Sequence, residues 1–217
     1  MNLTDKVCWT NSLWETFSKG GLTGGPTDRD RRTLVSITVD HINGLKQHRP
    51  SAEIAHTTHV MVDEQIQKER ARDPNAANIT CQKGCSFCCR VAVTISRTEA
   101  TLLARIVREE KIEVDVERLR RQSAHGLKDW NTQAPADRAC VFLDGDGCCR
   151  VYKWRPNACR KYFVISRPAL CDTVAYPGGG VTRWMSPVAE CIESANLTVF
   201  GSALLPHQLL RTLKVKR

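Results

Sequence analysis

The chain has 217 residues and a formal net charge of +9, from 32 Lys and Arg against 23 Asp and Glu. That length admits one domain, or one with a small appendage, since domains run to roughly 100–200 residues. Hydrophobic residues at 41% exclude a fully disordered chain, aromatics at 6% make for a lean core, and no apolar run approaches the roughly 18 residues that a membrane span needs.

The opening residues, MNLTDKVCWTNSLWETFSKG, lack a basic start followed by an apolar stretch, so they do not read as a secretory signal; the expectation is a cytoplasmic chain without membrane association. Residues 1–30 are polar and Gly-rich and read as a flexible arm and linker, with Trp9, Leu13, Trp14 and Phe17 able to dock as one amphipathic turn. A single helical domain is expected over 31–205. Its first helix runs from Thr33 to Lys46. A second runs from Ser51 to Arg72, with Ser51 as N-cap, Ile54, Thr58, Met61, Val62 and Ile66 at three-to-four spacing, and Asp73-Pro74-Asn75 as its end. Val91 to Ile95 reads as extended. Ser96 then opens a helix with Glu99 as its capping-box partner and Leu102, Leu103, Ile106 and Val107 on the apolar face. Asp115 to Trp130 reads as a further helix with Val116, Leu119 and Leu127 inward, broken by Ala134-Pro-Ala. Cys140 to Leu143 and Cys149 to Tyr152 form the arms of a hairpin around the turn Asp144-Gly-Asp-Gly147. Pro156 starts a helix reaching about Phe163, Tyr176 to Gly180 is a loop, and Pro187 to Phe200 is a final helix. Residues 206–217 read as a basic tail. The fold class is therefore mainly α with a small β-hairpin around an irregular Cys-rich core.

The chain carries 11 cysteines. An intracellular chain keeps thiols reduced, which argues against a disulfide framework, and core packing alone predicts scattered cysteines. Instead Cys81, Cys85, Cys88 and Cys89 crowd into nine residues, and Cys140, Cys148, Cys149, Cys159 and Cys171 follow in a second group. On a helix the first four fall within an arc of about 100°; if Gly84 bends the chain instead, Cys81 and Cys85 grip from a loop. Converging thiolates repel unless a cation holds them. Cys88 and Cys89 are neighbours that do not easily bind one ion together, so one packs while the other ligates, or the pair serves two metals or a cluster. Cys-only ligation selects soft metals, zinc, iron–sulfur or copper(I), over calcium and magnesium.

CQKGCSFCC followed by CVFLDGDGCCRVYKWRPNACR resembles the YkgJ-type cysteine-cluster family of zinc- or iron-chelating domains, whose pattern is C-x2/3-C-x2-C-C, then C-x-F-L, then C-x-[IV]-Y-x-x-R-P-x-x-C-R. The matching stretch, 78–172, is under half the chain. The resemblance implies metal ligation by Cys81, Cys85, Cys88, Cys89, Cys140, Cys149, Cys159 and Cys171, with Cys148 an extra thiol. The implied cofactor is zinc or iron, as single ions or an Fe–S cluster. Some relatives look like the metal-binding part of flagellin lysine N-methylases, which opens a second reading as an iron–sulfur-dependent protein-modifying enzyme; no Gly-rich nucleotide loop follows a strand here.

Other features carry less. His56 and His59 share a helix, where a solvated face is the ordinary reading. Asp144 and Asp146 suit a turn. Arg160, Lys161 and Arg167 stand beside the second cysteine group as charge balance, since four thiolates around one Zn²⁺ leave about two net negative charges. Cys8 reads as an ordinary thiol and Cys191 as ambiguous. The +9 charge and the basic stretches Arg118–Arg121 and Lys214–Arg217 leave a zinc-containing nucleic-acid-binding protein as a third reading. The preferred expectation is a metal-binding protein with a protein partner.

Overall fold

The computed structural model describes residues 28–177 and 180–214. Its first helix, α1 (Asp28–Leu45), begins ahead of Thr33 and so takes in the end of the expected arm. The rest of that arm, with Cys8 and the Trp9–Phe17 cluster, lies outside the described residues. Helix α2 (Ala52–Arg70) starts where the sequence places it: the Ser51 side chain accepts a hydrogen bond from the Ile54 N–H, Glu53 sits in the first turn, and Lys68 and Arg70 sit in the last, as the helix dipole favours. The Asp73 carboxylate accepts from the Asn75 N–H at 2.9 Å and opens a 3-10 turn over Pro74–Asn78.

Strand β1 (Thr94–Ser96) leads into α3 (Arg97–Glu109), whose capping box is complete, with the Ser96 hydroxyl accepting from Glu99 N–H and the Glu99 carboxylate accepting from Ser96 N–H. Helix α4 (Val116–Ser123) follows. The short α5 (Asn157–Arg160), β2 (Phe163–Val164) and β3 (Arg183–Trp184) precede α6 (Pro187–Phe200), β4 (Ser202–Leu204) and α7 (Leu205–Leu213). Two antiparallel ribbons join distant segments: β1 pairs with β4 in the register Thr94↔Leu204, Ile95↔Ala203, Ser96↔Ser202, and β2 pairs with β3. Both α1 and α2 pack on α6, α3 packs on α2, and α7 packs on α3 and α4.

The buried face of α2 reads apolar, polar, apolar: Ala52 and Ala55, then Thr58 and His59, then Val62 and Ile66. Those ends feed two separate apolar clusters. One gathers Ala52, Ala55, Ile95, Leu102, Leu103, Leu119, Phe142, Val151 and Leu209 among others; the second gathers Val62, Ile66, Ala76, Trp184, Ala189 and Ile192. Between them runs a polar seam. Asn196 donates to Thr58 and accepts from Thr98, Ser96 bonds Thr98 and Glu99, and Glu99 stands 3.5 Å from His59. Every member is buried.

Several expectations are corrected. The Asp115–Trp130 helix stops at Ser123; Leu127 is 66% exposed, and Trp130 is buried instead, in a 3-10 turn over Trp130–Thr132. The hairpin around Asp144 keeps one bridge, Leu143↔Cys149, because Tyr152–Trp154 coils into a 3-10 turn before a ladder can extend. Strand pairing occurs instead in the two ribbons above. The helix after Pro156 stops at Arg160, freeing Phe163 to join β2. The expected basic tail begins as α7, with Pro206, Gln208 and Leu209 buried, so the helical frame extends past residue 205.

Candidate metal centre

The first cysteine segment is tied down at intervals along its length. The Thr80 N–H donates to Val164 O at 2.9 Å and its hydroxyl to Ser166 O at 2.7 Å, which lays the segment along β2. The Val164 N–H points at the Cys81 sulfur, 3.3 Å away. Gly84 has φ +84°, a left-handed conformation that costs a side-chain-bearing residue strain but suits glycine. The chain therefore turns at Gly84 and coils into a 3-10 turn over Phe87–Arg90, so the bent arrangement holds and the regular helix does not. Trp130 Nε1 donates to Arg90 O at 2.9 Å, and the Cys140 N–H donates to Cys89 O at 2.8 Å. That last bond seats the second cysteine segment directly on the first.

The second segment is shaped by Asp144, whose Oδ1 accepts from the N–H groups of Asp146 (3.0 Å) and Cys148 (2.7 Å). Turn chemistry accounts for Asp144. At the tip, Gly147 faces Gly84 and Ser86: a Cβ built there would lie 3.4 Å from Gly84 O. Cys159 is the third residue of α5, whose start is fixed by the Asn157 N–H donating to Glu99 Oε1 at 2.8 Å. Cys171 closes a 3-10 turn over Pro168–Cys171, is buried, and packs this turn on Phe87–Arg90.

All ten described cysteines are free thiols. The eight implicated by the motif share one electrostatic neighbourhood. Burial raises the Cys81 thiol, reinforced by Cys88 and Cys85. Burial pushes Cys171 up to about 11, reinforced by Cys85, Cys88 and Cys81. Burial likewise pushes Cys140 to about 11, with Cys149 and Cys88 adding to it. Cys159 is raised well above its ordinary value by burial and by Cys140, Cys88 and Cys149. Cys149 is raised by burial and by Cys88, and Cys88 is raised by its hydrogen bond with Cys89, then by burial. Ionising this group without a cation is unfavourable, and a soft cation reverses the balance. The donor set is sulfur alone, which fits zinc or iron. Among the described residues no three His, Cys, Asp or Glu side chains stand in a ready-made ligand arrangement.

The surroundings revise several roles. Lys161 is spoken for by Glu190 and by Glu193 at 2.6 Å, and Arg160 by Asp63 at 2.5 Å, so neither balances the thiols. Arg155 is the cation that draws Cys88 and Cys149 downward, and Arg150 does so for Cys140. Arg155 also lies over the Tyr152 ring, 3.9 Å from its centroid. Cys191 is buried elsewhere, with its Sγ 3.5 Å from Leu34 O. His59 is buried rather than solvated, while the His56 ring lies tilted against Trp154, 5.5 Å between centroids.

Sequence reasoning finds Glu99 as a helix cap but misses its second carboxylate oxygen. Burial works against ionisation of Glu99, but His59 and the N–H groups of Ser96 and Asn157 outweigh it, and its carboxyl lies below the ordinary value. The signal available was a capping residue of the long acidic type on an otherwise apolar helix face, where one oxygen suffices for the cap.

Residues 80–176 match the family model CxxCxxCC, described as a putative zinc- or iron-chelating domain. No curated protein and no solved structure matches the chain.

Proposed function

We propose, from the premise that residues 80–176 carry the CxxCxxCC zinc- or iron-chelating domain, that this protein binds zinc or iron through Cys81, Cys85, Cys88, Cys89, Cys140, Cys149, Cys159 and Cys171, and that the metal fastens the cysteine segments to the helical frame. The observation that carries this is the Cys140 N–H to Cys89 O bond, which joins two groups of free thiols separated by about fifty residues of sequence. The bound cation supplies charge neutralisation and cross-linking. The protein's own residues do the rest: Gly84 turns the first segment, Asp144 shapes the second, Glu99 fixes the start of α5, and Arg155 and Arg150 add positive charge beside the sulfurs. Because ligand sites of this kind do not exist in the unfolded chain, binding free energy adds to folding free energy. A structural role follows from that linkage.

Anaerobic purification with elemental analysis and an absorption spectrum identifies the metal: colourless protein with zinc, or coloured protein with iron and, for a cluster, sulfide. A thermal melt with and without a strong chelator then tests the structural role. Chelation lowers the melting temperature and speeds hydrogen exchange over 81–171. Metal-free protein as purified, or a melt indifferent to the chelator, overturns the proposal.

A further inference from the structure

We infer that Arg138 is the centre of a binding site for a small free oxyanion, at the joint between the loop 129–139 and the stretch that follows Cys171. The site uses none of the thiols, and the inference does not depend on their binding a metal.

Arg138 is 4% exposed. Its backbone is pinned on both sides: Gln122 Nε2, from α4, donates to Asp137 O at 2.6 Å and to Ala139 O at 2.8 Å, and the Arg138 N–H donates to Ala134 O at 3.3 Å. The guanidinium makes two side-chain hydrogen bonds, and both leave from Nη1, to Asn131 Oδ1 at 3.1 Å and to Thr173 Oγ1 at 2.9 Å. Both acceptors are neutral. Nε is buried without a partner. Among the described residues no carboxylate pairs with Arg138. Its neighbour Asp137 accepts from Arg121 Nε at 2.9 Å, and Asp172 Oδ1 accepts from the N–H groups of Val174 and Ala175.

Arginine stays protonated in proteins, and a buried cation is costly unless an opposite charge answers it. A water molecule on Nε satisfies the hydrogen bond and leaves the charge. The thiols have their own cations in Arg150 and Arg155. The donors left over on Arg138 are Nε and Nη2, one edge of the planar fork, and two parallel N–H groups on such an edge match two oxygens of a phosphate, sulfate or carboxylate. The Thr173 hydroxyl accepts from Nη1 and keeps its own hydrogen to donate. Gln133, buried in the same loop, leaves Oε1 unpaired, a second polar group there without a protein partner. Such enclosure favours a free ion over the acidic side chain of another protein. The ion then sits beside the bond that joins Arg138, two residues before Cys140, to Thr173, two residues after Cys171.

The test uses the full chain as purified, dialysed free of phosphate, with metal content measured in every sample. Inorganic phosphate replaces chloride at constant ionic strength, and titration calorimetry and a thermal melt read its binding. The expected result is saturable uptake at one site with a rise in melting temperature. Arg138→Gln removes the charge and the fork and weakens phosphate binding by about tenfold or more. Arg138→Lys keeps the charge without the fork and also binds more weakly than the parent. Thr173→Val gives a smaller loss and serves if the Arg138 variants fail to fold. Glycerol phosphate, the same group on a larger body, binds more weakly than the free ion. Three results overturn the site: no saturable uptake beyond chloride, an unaltered phosphate response in Arg138→Gln, or tighter binding of glycerol phosphate than of inorganic phosphate. Loss of metal from Arg138→Gln with the phosphate response intact assigns this cation to the thiols instead, and also overturns it.

Discussion

Replacing Glu99 with Gln removes little volume but reverses one end of a buried acceptor. In the native seam Glu99 Oε2 accepts from the Ser96 N–H at 2.8 Å and hydroxyl at 2.9 Å, while Oε1 accepts from the Asn157 N–H at 2.8 Å. An amide offers one acceptor and one donor. Whichever way it flips, one buried backbone N–H faces an NH2 group. An unsatisfied buried donor costs about 1–3 kcal/mol, and the remaining bonds lose their charge assistance, so Glu99→Gln destabilises the chain by about 2–4 kcal/mol. For a protein of this size that lowers the melting temperature by about 5–15 °C. Urea unfolding of the metal-loaded chain at neutral pH measures it, with Glu109→Gln at the exposed end of α3 as the near-neutral control. Hydrogen exchange adds a local readout, because release of the Asn157 amide loosens the turn that presents Cys159. The Glu99 carboxyl lies below its ordinary value, so its contribution is complete above the ordinary carboxylate range and fades as pH falls through the folded value; variant and parent converge in acid. A loss below about 0.5 kcal/mol at neutral pH, within the range of an ordinary surface change, would refute the reasoning.

Two further outcomes are expected. Gly84→Ala costs about 1–2 kcal/mol through its left-handed backbone and weakens zinc retention, although no atom lies within 4 Å of the added Cβ; Gly145→Ala, equally uncrowded and without a positive φ, stays within about 0.5 kcal/mol in the same chemical denaturation, and equal effects at the two positions would show that space rather than backbone conformation decides. Burial pushes the Glu193 carboxyl up to about 7 against the pull of Lys161, so the folded chain holds that proton more tightly than the unfolded one, and stability falls as pH rises from the ordinary value of 4.5 towards 7. Glu193→Gln flattens that part of a stability-against-pH profile, and an unchanged slope would assign the titration to another group.

Local signals were legible wherever one short stretch decides the outcome. Ser51 and Ser96 with Glu99 each cap the helix they precede through their own side chains, and the helix expected from Pro187 starts there. The cysteine spacing is a local signal of the same kind, and the family model matches over the residues that carry it. What escaped is what depends on distant partners. The ribbon between β1 and β4 joins residues about a hundred positions apart, and neither three-residue strand has a period long enough to announce itself. His59 read as solvated because nothing near it in sequence reveals Glu99 across the seam. Lys161 read as a counter-charge to the sulfurs for want of any sign that Glu190 and Glu193 would claim it.

The β1–β4 ribbon and α7 also set an order of events during synthesis. The cysteine segments leave the ribosome well before residues 202–213, yet α7 packs on α3 and α4 and β4 completes the ribbon at the mouth of α3. With translation at about 5–20 residues per second, the thiols spend seconds outside the tunnel before their frame can close. During that interval they are open to oxidation and to capture of an unsuitable ion, so a nascent chain gains most from a reducing surrounding, or from early metal delivery, before α7 emerges.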